Sequence, residues 1–200
     1  MLNLYDYLKN NPKKYIIFDL DETLFFLHID WNIFKQKFRW YMKSIDPEFE
    51  KRYPINWNII DTVTKATKVY WKWALDISYK TSQEVELPNM KWFWINTEII
   101  NFIKNNNSDY RFYIWSSNMM DTIKYVLQKT NMEKYFEKII DKSSVMFMKR
   151  NIEWFEKIYN PKYQKSDYLM VWDSKYDKLA AENAWIDFFK IENVKWEEFI

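Results

Sequence analysis

Four carboxylates fall into two short clusters: Asp19 and Asp21 in Asp19-Leu-Asp-Glu-Thr23, and Asp173 and Asp177 in Asp173-Ser-Lys-Tyr-Asp177. Residues i and i+2 of an extended chain point to the same side, so Asp19 and Asp21 face one site. Paired carboxylates disfavour each other's ionisation unless something neutralises them. A divalent cation does so, and hard cations such as Mg²⁺ take oxygen ligands, which Asp173 and Asp177 could add to. Taken alone, the first cluster reads equally well as a strand-to-turn junction with a solvated Asp cap. With no Cys and a single His, the chain has no thiol nucleophile, no disulfide framework and no zinc site built on Cys or paired His. His28 is expected to be a partly buried structural side chain rather than a substrate contact.

Elements that would position these groups are legible as apolar runs. Tyr15–Asp19, Tyr110–Trp115, Tyr168–Trp172 and Ile186–Ile191 read as buried strands. Between them lie helical periodicities: Ile99, Ile100 and Ile103; Ile123, Val126 and Leu127; Ile152, Phe155 and Ile158; Leu179, Ala180 and Ala184. Strand alternating with helix predicts an α/β fold, a three-layer Rossmann-like parallel sheet with helices on both faces. Ligands of such sheets sit at the carboxyl ends of the strands, where Asp19, Ser116 and Asp173 fall. Residues 25–90 break the alternation. Trp31, Phe34, Phe38, Tyr41 and Ile45 form one amphipathic stripe, and Ile60, Val63, Thr67, Tyr70 and Ala74 another, with Pro47, Pro54 and Pro88 marking loops. We therefore expect a small α-helical cap over 25–90 inserted into a core formed by 1–24 and 91–200.

Composition narrows the function classes. Over 200 residues, 30 Lys and Arg stand against 28 Asp and Glu, which gives no basic excess for nucleic acid. An aromatic content of 21% excludes disorder. No apolar run approaches the roughly 18 residues that span a bilayer. A cytoplasmic protein acting on a small molecule, with neither nucleic acid nor membrane as partner, is the expectation.

The chain resembles the haloacid dehalogenase superfamily, specifically its phosphatase-like members. The resemblance is carried by YIIFDLDETLF at 15–25, YIWSSN at 113–118, MKRNIEWF at 148–155 and VWDSKYDKLAAENAWI at 171–186, in the family's order. It implies Asp19 as the nucleophile that forms an aspartyl-phosphate, and Asp21 as the acid and base. It further implies Mg²⁺ held by Asp19, the backbone carbonyl of Asp21, and Asp173, with Asp177 as acidic support. Ser116 and Lys149 would bind the phosphoryl oxygens. Ser117 competes with Ser116 by one register step, Asn118 either joins them or caps the next helix, and Lys142 is the substitute for Lys149. Arg150 stands where the family commonly has Pro. The implied activity is Mg²⁺-dependent hydrolysis of a small phosphorylated metabolite. A sugar phosphomutase and a catalytically inactive binding module of the same fold are the alternatives.

Gly is absent and Trp numbers 12. The family has Gly where Trp172 and Trp185 stand, and Trp57, Trp71, Trp73, Trp92 and Trp94 also occupy contexts that accept Gly. This pattern suggests glycine codons of the source organism rendered as Trp, which inspection of the coding DNA would test. A bulky Trp172 would then threaten the metal loop beside Asp173.

Overall fold

The computed structural model describes residues 3–147, 151–192 and 194–199. The chain opens with α1 (Leu4–Asn10), β1 (Tyr15–Phe18) and β2 (Phe25–Leu27). A helical stretch follows: α2 (Trp31–Lys43), α3 (Phe49–Arg52), α4 (Ile59–Tyr70) and α5 (Lys72–Asn89). Then come β3 (Phe93–Asn96), α6 (Thr97–Asn105), β4 (Arg111–Trp115), α7 (Met120–Lys129) and β5 (Phe136–Ile140). The last elements are α8 (Glu153–Glu156), β6 (Tyr168–Trp172), α9 (Lys175–Ala184), β7 (Asp187–Lys190) and β8 (Trp196–Glu198).

Five strands form a parallel sheet in the order β5-β4-β1-β6-β7. Strand alternation divides its side chains between two cores. Ile16, Phe18, Phe112, Ile114, Leu169 and Val171 share one face with α1, α6, α7 and the inserted helices. Ile17, Tyr113, Trp115, Met170 and Trp172 share the other with α8 and α9. This is the expected three-layer α/β architecture. β1 is flanked on both sides, and its four residues are buried, as an unbroken apolar run requires. Edge strand β5 was not expected: Glu137 and Lys138 interrupt its apolar pattern because they face solvent.

A second, three-stranded antiparallel sheet, β2-β3-β8, joins the chain's exit into the inserted helices to its return. The helices begin at Trp31, because residues 25–27 pair with 93–95 instead. Within them, the second stripe is two helices rather than one. Trp71 turns the chain with φ 47° and ψ −124°, so Ala74 belongs to α5. Pro88 lies inside the last turn of α5 and not in a loop. Its missing N–H would have bonded the carbonyl of Glu84, and the Asn89 side-chain amide donates there instead (3.2 Å). Among the described residues no helix is long and apolar enough to cross a membrane.

The tryptophans divide by backbone. Trp71 and Trp185 have positive φ, at 47° and 60°, and are 57% and 80% exposed. At Trp185 the backbone is left-handed helical (ψ 41°), which costs a residue bearing Cβ about 1–2 kcal/mol, while Trp71 at ψ −124° lies outside that well; both positions suit Gly. Trp172 is buried at the end of β6 against Phe188, turned into the sheet's second core. Trp115, Trp154 and Trp172 each keep a buried indole N–H without a partner, an unusual state for that donor. Opposite outcomes follow. Trp185→Gly should raise the melting temperature by about 2–4 °C, the shift expected for ~1 kcal/mol in a chain of this size. Trp172→Gly should lower it, since it empties an indole-sized space at a cost of about 3–5 kcal/mol. Thermal melts of the two variants check both signs.

Among the inserted helices, the Tyr70 hydroxyl donates to Asp46 (2.5 Å), and burial plus that carboxylate push the phenol up to about 12. A raised folded-state value contributes stability below the ordinary phenol value of about 10 and loses it as pH climbs toward 12. Tyr70→Phe should therefore flatten the fall in melting temperature across that window, read from melts at successive alkaline pH values.

Candidate active site

The carboxyl ends of β1, β4 and β6 meet at one cavity of about 330 Å³ beneath the inserted helices. Asp19 follows β1 directly, is 5% exposed, and its N–H donates to Val171 O (3.1 Å), which fixes it beside β6. The next residues fold back sharply. Leu24 and Phe25 N–H groups both donate to Leu20 O, and Glu22 takes a left-handed φ of 61°. A non-Gly residue in that region at a loop of this kind stores local strain. The turn leaves the Asp21 carboxylate accepting the Leu27 N–H (2.9 Å) while lining the cavity.

Asp19, Asp173 and Asp177 bring carboxylate oxygens within 4.8 Å of one another. Two of the three are buried. Ser174, the residue before α9, donates to Asp177 Oδ2 (2.5 Å), and the Thr23 hydroxyl donates to Asp173 Oδ1 (3.3 Å). A largely buried, all-oxygen set of three carboxylates suits a hard divalent cation such as Mg²⁺. The Asp21 carboxylate lies outside this triad. Asn96 braces the arrangement from behind: its amide donates to Thr23 O (2.9 Å) while its Oδ1 accepts the Ile99 N–H as the cap of α6.

After β4 the two serines part ways. Ser116 is fully buried and locked to its neighbour, donating to Asn118 Oδ1 (2.9 Å) and accepting the Asn118 N–H (3.1 Å). Ser116 is not among the residues that line the cavity. Ser117 and Asn118 do line it, and Ser117 Oγ and Asn118 Nδ2 are buried with no hydrogen-bond partner. Lys149 and Arg150 lie outside the described residues. Among the described residues, the cation in the cavity wall is Lys142. Its Nζ donates to Ser82 Oγ (2.6 Å) and lies 3.7 Å from Glu86, with both charged side chains almost wholly buried. Burial lowers the ammonium's pKa against the opposing pull of Glu86 and Asp141. Glu86 also accepts the Met119 N–H ahead of α7 (2.7 Å). His28 is remote, exposed and stacked on Trp92 at 4.1 Å.

Ser82, Glu86, Thr23 and Asn96 were not singled out by sequence reasoning. Thr23 was visible in the first motif, but the others contribute through contacts across the fold that no local pattern marks.

A doubly wound core with carboxylates at two adjoining strand ends, β1 and β6, and hydroxyl and amide groups at a third, β4, under inserted helices is an arrangement suited to hydrolysis. The family model for haloacid dehalogenase-like hydrolases matches residues 16–191, and the chain belongs to that family. No curated protein sequence matches it. Among solved structures, it is similar to a haloacid dehalogenase-like family protein from Streptococcus pneumoniae at 17% identity and TM-score 0.56, over 90% of this chain and 85% of that one. A hydrolase from the same species shares 22% identity at TM-score 0.52, over 90% and 93%. A predicted phosphoglycolate phosphatase from Haemophilus somnus shares 16% at TM-score 0.55, over 88% and 84%. At these identities the likeness speaks for the fold.

Proposed function

We propose that this hydrolase releases phosphate from small phosphomonoesters through an aspartyl-phosphate on Asp19, with Mg²⁺ as cofactor. The supporting observation is the pair of partnerless buried donors, Ser117 Oγ and Asn118 Nδ2, in the cavity that Asp19 and Asp21 also line. Buried donors without partners are costly unless a ligand accepts from them, and a phosphoryl group carries acceptor oxygens.

In this reading Asp19 attacks phosphorus and a new Asp19–phosphorus bond replaces the ester bond. Asp21 gives its proton to the leaving oxygen, which departs as an alcohol. Water then attacks phosphorus, Asp21 takes the water's proton, and Asp19 is regenerated as phosphate leaves. Ser117, Asn118 and Lys142 stabilise the equatorial oxygens, where charge is greatest during transfer. Asp19, Asp173 and Asp177 would hold Mg²⁺, which supplies charge neutralisation of the phosphoryl oxygens when bound. The inserted helices exclude bulk water and large substrates.

The test is phosphate release from p-nitrophenyl phosphate in Mg²⁺ and in EDTA. Turnover that chelation abolishes and Mg²⁺ restores is the expected result; a folded protein that releases no phosphate from any ester would sink the reading. Asp21→Asn separates the proton's role. It should slow alkyl phosphates far more than p-nitrophenyl phosphate, whose phenolate leaves without protonation.

A further inference from the structure

The cavity lining is of two kinds. Asp19, Asp21, Ser117 and Asn118 come from the strand ends of the core. An apolar wall comes from the inserted helices, Phe34 from α2 and Ile59, Ile60 and Val63 from α4, and Tyr176 from α9 also lines the cavity. Several polar atoms near that wall already have partners. The Tyr176 hydroxyl donates to Asp61 (3.4 Å), and Asn58 Oδ1 accepts the Ile60 N–H (2.8 Å).

A polyol leaving group would press its hydroxyls against these side chains and lose water without replacement hydrogen bonds. A ring or branched alkyl group would bury apolar surface against Phe34, Ile59, Ile60 and Val63 instead. A volume of about 330 Å³ is within the range of small-ligand pockets. We propose that the natural substrate is the phosphate ester of an apolar alcohol, aromatic or branched, and that this wall selects it. The inference rests on the phosphomonoesterase reading and goes further by fixing the leaving group's chemistry.

The test compares benzyl phosphate with glucose 6-phosphate and 2-phosphoglycolate in Mg²⁺. Benzyl and glucose 6-phosphates both release a primary alcohol, so intrinsic reactivity is nearly matched. The expected result is kcat/KM at least about tenfold higher for benzyl phosphate, the order of discrimination an apolar pocket gives. Ile60→Asn should shrink that ratio at least severalfold. Ile60 lies in the first turn of α4 and is partly exposed, so the change leaves the fold intact. Calorimetric titration with benzylphosphonate and methylphosphonate supplies a readout without turnover, with benzylphosphonate expected to bind at least tenfold tighter. Equal rates and equal phosphonate affinities overturn the selection while leaving hydrolysis standing. Release of phosphate from none of the esters, by protein that still binds benzylphosphonate, overturns the phosphomonoesterase reading and this inference with it.

Discussion

Asp19→Asn should lower Mg²⁺-dependent phosphate release by at least about a thousandfold, a loss typical of removing a covalent nucleophile. The side-chain amide cannot displace an alkoxide from phosphorus, and one of the three clustered carboxylates is lost. The fold should not suffer. Asp19 is anchored through its backbone N–H to Val171, a bond the substitution keeps. In EDTA the variant should melt at the same temperature as the parent or higher, because fewer mutually repelling carboxylates remain in a buried triad. Activity loss beside an undiminished melt is thus the signature of a chemical role. A variant that retains a tenth of the parent's turnover, or melts far below it, would show that Asp19 serves structure instead.

Glu86→Ala should be the most destabilising single change at the site's rim. Glu86 is wholly buried, accepts from Met119 and faces Lys142, itself only 5% exposed. Removing it strands a buried ammonium and an N–H, with an expected cost of about 3–5 kcal/mol. That corresponds to roughly 6–20 °C of melting temperature. Glu86→Leu combined with Lys142→Met should recover most of the loss, because an apolar pair has no charge to desolvate. The pH dependence carries its own sign. Burial already lowers the Lys142 pKa, and losing Glu86 removes the first opposing pull. The unfolded chain then binds more protons than the folded one up to about pH 10, so Glu86→Ala should regain stability as pH rises toward that value. Equal melts for Glu86→Ala and parent would mean that the pair is not coupled.

The sequence exposed most of what local patterns can carry. Continuous apolar runs marked β1, β4 and β6, because strands covered on both faces need apolar residues at nearly every position, while edge strand β7 showed through Phe188 and Phe189 alone. Strands β2, β3 and β8 escaped notice. They are three to four residues long, and their pairing is set by partners roughly 70 and 100 positions apart in the chain. The aspartates were legible because their spacing is the chemistry. Ser116 and Ser117 were not separable by pattern, since one residue of register at a strand end decides which hydroxyl enters the cavity and which bonds Asn118. Lys142 entered the reading only as a substitute for Lys149. Its partner Glu86 sits on a different element, and nothing in the local sequence of either residue announces the other.

The β2-β3-β8 ribbon also limits how the lid can move. The helices leave the core after Leu27 and return at Phe93, and those two residues lie directly opposite each other in one register. Sliding one connection past the other by a single residue would break that ladder and turn every side chain of the strand to the opposite face. Independent translation or twisting of the two connections is therefore closed off. What remains is bending of the ribbon as a unit, so the lid has in effect a single hinge axis, and β8 stiffens it from the β3 side.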